Sequence, residues 1–160
     1  MNSFDIASKV NLQEVKNALD QTLKEIRQRF DFKGSKSEVR LEGQDLIVIS
    51  DDEYKLKSVI DVLQSKLVKR GVSLKALAYG KMEEALGGMV RQKITLRQGI
   101  SPEAAKALTG AIREGRFKVQ TQIQDDQIRV SGKSIDELQA VIVMLKGIDF
   151  DLPLQFTNYR

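Results

Sequence analysis

Apolar residues along this chain change period several times, and each change marks an element. In SFDIASKV, at 3–10, they alternate as in a strand. Leu12, Val15, Leu19, Ile26 and Phe30 then recur at helical spacing. Further on, LEGQDLIVISDDEYKLKSVIDVL (41–63) reads as a strand, a tight turn, a second strand and an amphipathic helix. The same pattern returns as IQDDQIRVSGKSIDELQAVIVML (123–145). An offset of 82 residues overlays the two without gaps. Leu41 meets Ile123, Leu46 meets Ile128, Val48 meets Val130, Leu56 meets Leu138, Val59 meets Val141, Ile60 meets Ile142 and Leu63 meets Leu145. A self-similarity of this kind is the signature of an internal repeat.

The flanks extend the unit. VRQKITLRQ (90–98) alternates as a strand before the second copy, and SPEAAKALTGAIREG (101–115) reads as a helix. Ser101 is its N-cap and Pro102 its first residue. A short strand follows each second helix, around SLKALA (73–78) and around LPLQF (152–156). The order is β-α-β-β-α-β twice, an α+β chain with two ferredoxin-like, RNA-recognition-like domains in tandem. Each domain is expected to be an antiparallel sheet with two helices on one face. Read in chain order, the first domain is 1–79, the glycine-containing segment 80–90 is a linker, and the second domain is 91–160.

The uncovered face of such a sheet is where a ligand would lie. In KVQTQIQDDQIRV (118–130), Val119, Thr121, Ile123, Ile128 and Val130 fall on one side. Lys118, Gln120, Gln122, Gln124, Gln127 and Arg129 fall on the other. Extending the alternation adds Lys93, Thr95 and Arg97, and no acid appears in the row. Lysine and arginine suit phosphate oxygens, and glutamine amides match base edges. The site expected for an anionic nucleotide is therefore Lys93, Arg97, Lys118, Gln120, Gln122 and Arg129, with Lys133 at its rim. An ordinary solvated sheet face is the competing reading, and the row has no aromatic residue for base stacking. The corresponding face of the first copy carries Glu38, Arg40 and Glu42, then Ile47 and Ile49, which call for cover.

Composition limits the chemistry. The 160 residues carry 26 bases and 22 acids, and their net charge of +4 leans toward anionic partners without forming a basic tail. There is no cysteine and no histidine, so a thiolate or imidazole metal site is excluded and no cofactor is implied. No nucleophile–base pair of the usual kind is available, so an enzyme is not expected. No segment has membrane-spanning length, and the reading is a cytoplasmic, soluble protein.

Two further motifs need separate treatment. GKS at 132–134 resembles the tail of a P-loop, but Gln127 stands where that motif requires glycine. Ser134 with Glu137 instead makes a capping box, and Asp52 is the equivalent cap in the first copy. RFDFKG at 29–34 joins Arg29 and Lys33 to two phenylalanines. Phe30 continues the helix stripe into the core, while Phe32 is open to either role. Arg29, Phe32 and Lys33 form a secondary candidate site.

FDI (4–6), RFDFKG (29–34), KRG (69–71), KITLRQGI (93–100), KVQTQIQDDQIRVSGK (118–133), LQAVI (138–142) and PLQF (153–156) followed by Asn158 and Tyr159 occur in this order. Together, spanning essentially the whole chain, they closely resemble the bacterial YajQ family. Asp125 departs from the pattern, since the family usually has glycine there. The resemblance implies tandem ferredoxin-like domains, with strands at the chain ends crossing between them. It also implies binding of purine nucleotides, cyclic dinucleotides such as cyclic di-GMP, or RNA. Some members are similar to effectors that change their contact with transcription regulators. A protein-interaction adaptor with weak anion affinity is the alternative.

Overall fold

The computed structural model describes residues 1–160. The elements in chain order are β1 (Asn2–Ala7), α1 (Leu12–Gln28), β2 (Glu38–Glu42), β3 (Asp45–Ser50), α2 (Glu53–Lys69), β4 (Leu77–Glu84), β5 (Val90–Leu96), α3 (Pro102–Glu114), β6 (Gln120–Gln124), β7 (Gln127–Gly132), α4 (Ile135–Lys146) and β8 (Gln155–Thr157). Each helix starts where a polar side chain satisfies its free amides. Asn11 Oδ1 accepts from the Gln13 and Glu14 N–H groups, and Asp52 Oδ1 from Lys55 N–H at 2.7 Å. Ser101 Oγ accepts from Ala104 N–H, and Ser134 Oγ from Glu137 N–H. GKS is thus the end of a strand followed by a cap, with Gly132 paired inside β7.

Two compact units result. The inserted unit is Val10–Arg97, and the terminal unit joins Met1–Lys9 to Gln98–Arg160. The inserted unit holds an antiparallel sheet of order β2-β3-β5-β4, and the terminal unit one of order β6-β7-β1-β8. Leu46, Val48, Ile94 and Leu96 share one sheet face and pack with Val15, Leu56, Val59 and Leu63 from α1 and α2. Phe4, Ile6, Ile128 and Val130 do the same with Leu108, Ile112, Val141 and Leu145 from α3 and α4.

This arrangement corrects the division by chain order. β1 belongs with β7 and β8, and β5 belongs with β3 and β4. The terminal sheet thus takes one of its two inner strands from the start of the chain. β1 and β5 both alternate apolar and polar residues, so pattern alone fits either to either sheet. Residues 80–90 are not a linker. Met82–Glu84 pair with Val90–Gln92, and the chain turns back through Leu86–Gly88. Gly80 marks the irregularity between Tyr79 and Met82, where a Cβ would stand 3.0 Å from Lys93 O.

Backbone conformations recur at the 82-residue offset. Gly43 turns the β2–β3 hairpin at φ +63, and Asp125, at the same place in the β6–β7 hairpin, has φ +53. Gly34 and Arg116, again equivalent, have φ of +76 and +56. Four conformations that L-residues avoid, two in each copy, fall at matching positions.

Candidate functional site

The central strands of the terminal unit explain where Arg129 points. Arg129 and Asp5 are register partners on β7 and β1, facing away from the helices. Arg129 Nε donates to Asp5 Oδ1 at 3.0 Å, and Asn158 Nδ2 donates to Oδ2 at 2.8 Å. Asp5 is 4% exposed, and its hydrogen bond from Arg129 holds its carboxyl below the usual carboxylate range against the opposing effect of burial. The face is therefore not free of acid, and Arg129 already has a partner. Alternation around Phe4 and Ile6 does place Asp5 on the polar side, but this matters only once β1 is known to lie beside β7.

Lys93 and Arg97 belong to the inserted unit, Lys93 on β5 and Arg97 just past its end, and not to the sheet of Arg129. Lys93 Nζ is 3.9 Å from Asp45 Oδ2, and Arg97 donates to the Lys75 carbonyl through its guanidinium and to the Ala76 carbonyl through its backbone N–H. Gln122 is exposed on β6 opposite Arg129, and Gln120 opposite Ser131.

Three candidates do converge. Lys118, Gln120 and Lys133 line a cleft of about 400 Å³ together with Phe117, Ser131, Ser134 and Glu137. The cleft closes on the first turn of α4. Both lysines are exposed, and neither has an ion pair. Phe117 is half-buried, and its ring lies so close over Gly115 that a Cβ there would be 2.2 Å from it. Glycine at 115 thus lets the ring settle beside Lys118, giving the cleft an apolar wall. An aromatic directly before a candidate lysine was the available signal for Phe117. Ser131 and Ser134 carried no such signal, since strand and cap account for both.

The secondary site is not assembled. Arg29 is held by Asp31 at 3.0 and 2.7 Å and by Glu25 at 3.4 Å, and Asp31 is shifted down by that contact. Phe32 is 4% exposed in the core, beneath Arg29 and with Lys55 Nζ 5.0 Å from its ring centroid. Phe30, expected inside, is 86% exposed, with Lys33 Nζ 6.0 Å from its ring. Helix α1 ends at Gln28, and the 3-10 turn at Phe30–Phe32 rotates the stripe, so the second phenylalanine takes the core position. In the inserted unit, Ile47 is 4% exposed between its register partners Arg40 and Lys93, while Ile49 is half-buried. No helix is long and apolar enough to cross a membrane.

Comparison with known proteins is consistent along the full length. Residues 2–160 match the family model described as nucleotide-binding protein YajQ-like. A nucleotide-binding protein of Citrifermentans bemidjiense is 61% identical over 160 residues, covering 100% of this chain and 99% of its own. One from Geotalea uraniireducens is 59% identical with the same coverage, and one from Heliobacterium modesticaldum is 60% identical over 158 residues.

Proposed function

Because the chain belongs to the YajQ family, whose members are binding proteins rather than enzymes, we propose that it binds a purine nucleotide, cyclic di-GMP foremost, in the cleft of the terminal unit. The observation that carries this reading is the meeting of two unpaired lysines, Lys118 and Lys133, with Gln120 and the Phe117 ring in one cleft of about 400 Å³. That size suits a small ligand. The ammonium groups hold phosphate oxygens, beside Ser134 and Glu137 at the start of α4. Gln120 pairs with a base edge, and Phe117 supplies apolar contact. Arg129 keeps Asp5 and the sheet in place.

We read the two units as copies of one ferredoxin-like βαββαβ module with exchanged leading strands. The matching strand orders, caps and positive-φ positions support that reading. The nucleotide-bound protein then acts through a protein partner such as a transcription regulator. An RNA reading has less support, because the open face of this sheet offers Ser3, Asp5, Gln122, Gln124 and Thr157 and no ring for stacking.

The test is an NMR titration of the full chain with cyclic di-GMP, GTP and a short structured RNA at two salt concentrations. The expected result is guanine-selective shifts at Lys118, Gln120, Ser131 and Lys133, little changed by salt. Steeply salt-dependent RNA binding spread over the sheet would favour the RNA reading. Shifts confined to Phe30 and Lys33 would move the site to the inserted unit.

A further inference from the structure

Helices α2 and α4 are equivalent, yet their outward faces differ. On α2 the first three turns of the outer row are Glu53, Lys57 and Asp61, with Lys57 Nζ 3.4 Å from Glu53 Oε1; the exposed large apolar residues are Tyr54 beside that row and Val68 at its far end. On α4 the same positions are Ile135, Gln139 and Val143. Ile135 is 60% exposed and Val143 69%. A salt-bridged solvent face is ordinary for a surface helix. Its replacement by branched apolar residues in the other copy leaves α4 apolar both toward its core and away from it.

We propose that this face of α4 is a self-association surface that pairs with α4 of a second copy, antiparallel about a two-fold axis. The charges at its ends select this occupant. Asp136 lies in the first turn and Lys146 in the last, both exposed and on the same outward arc as Ile135, Gln139 and Val143. Antiparallel pairing centred near residue 141 sets Asp136 of each copy against Lys146 of the other, giving two reciprocal ion pairs. The same register places Ile135 over Gly147, where there is no side chain, and Val143 over Gln139. The small residue Ala140 allows close approach, and opposed helix dipoles favour the antiparallel sense. A 12-residue helix is about 18 Å long. One helix pair of that length falls short of the roughly 1,200 Å² of a stable interface, so association is reversible at about 10 µM to 1 mM. This inference does not depend on the identity of the nucleotide.

Sedimentation equilibrium of the full chain across that range tests it. The wild type should rise from 18.0 kDa toward twice that mass. Ile135→Glu with Val143→Asp, which copies the charges of α2, should stay monomeric. Asp136→Lys alone should weaken association at least about tenfold, and adding Lys146→Asp should restore it. That rescue is diagnostic, because a base at the start and an acid at the end of α4 both oppose the helix dipole and cannot act by stabilising the helix. An amide spectrum of each variant checks its fold. A wild type that stays at 18.0 kDa throughout overturns the proposal and leaves the face to a different partner. Association indifferent to Ile135→Glu with Val143→Asp overturns it too, and failure of the charge reversal overturns the antiparallel pairing.

Discussion

The terminal and inserted units put different chemistry on one scaffold. Where the terminal unit has Arg129 bonded to Asp5, the inserted unit has Ile47 beside Lys93. Where the first has Gln120, Ser131 and Lys133, the second has Glu38, Ile49 and Asp51. Lys118 and Lys36 are alike, but Lys36 and Arg91 line a wide cleft together with three acids, Glu38, Glu83 and Glu84. Asp51 is tied up by Ser35 Oγ and the Lys36 N–H, and its carboxyl is held low by the serine contact. At the 82-residue offset, cores, caps and turns correspond while the open face differs. The proposed anion site lies on the terminal unit's face.

The largest expected effect comes from exchanging the central pair. Ile47→Arg should destabilise the inserted unit by about 3–5 kcal/mol, since the new cation is buried between Arg40 and Lys93 without a partner. Adding Lys93→Asp should recover much of that loss by recreating the other copy's ion pair, as read by urea midpoints. Removing Asp5 from the terminal unit should cost about 3 kcal/mol by stranding Arg129. Arg129→Ala is therefore a stability variant and a poor ligand test.

Acid provides a second probe of the same pair. Asp5 has a folded pKa below its unfolded value of about 3.9. Its stabilisation is present above that value and is lost as pH falls through the folded pKa. Wild-type stability should accordingly drop below about pH 4, and Asp5→Asn should flatten that slope in urea melts at pH 7 and pH 3. Asp31 and Asp51, also held low, give the inserted unit an acid dependence of its own, so amide exchange should show the slope lost in Asp5→Asn only in β1, β7 and β8.

The smallest effect concerns the hairpin turns. Asp125→Gly should stabilise by about 0.5–1 kcal/mol, because aspartate there holds φ +53. Gly43→Asp should cost a similar amount, and thermal melts of both variants would show opposite shifts.

These contrasts also separate what the sequence could tell from what it could not. Local signals were sufficient for the hairpins, the caps at Asp52, Ser101 and Ser134, and the repeat joining Leu46 to Ile128. Long-range pairing was not legible. β1 and β5 have interchangeable patterns, so nothing local could show that Asp5, 124 residues from Arg129, would be its partner. That one placement removed Lys93 and Arg97 from the row and supplied its acid. The exchange of Phe30 and Phe32 followed from a turn of 3-10 helix that shifts the phase of the stripe. Lys118, Gln120 and Lys133 stayed together because they sit at the open end of one hairpin, Lys118 just before β6, Gln120 its first residue and Lys133 just after β7.

Calorimetry of cyclic di-GMP against the full-length wild type, Lys118→Ala with Lys133→Ala, and Lys36→Ala tests the division of labour between the copies most directly. The expected result is binding by the wild type and by Lys36→Ala at equal affinity, with at least about a hundredfold loss in the double variant. Retained binding in the double variant with loss in Lys36→Ala would contradict it and place the ligand on the inserted unit.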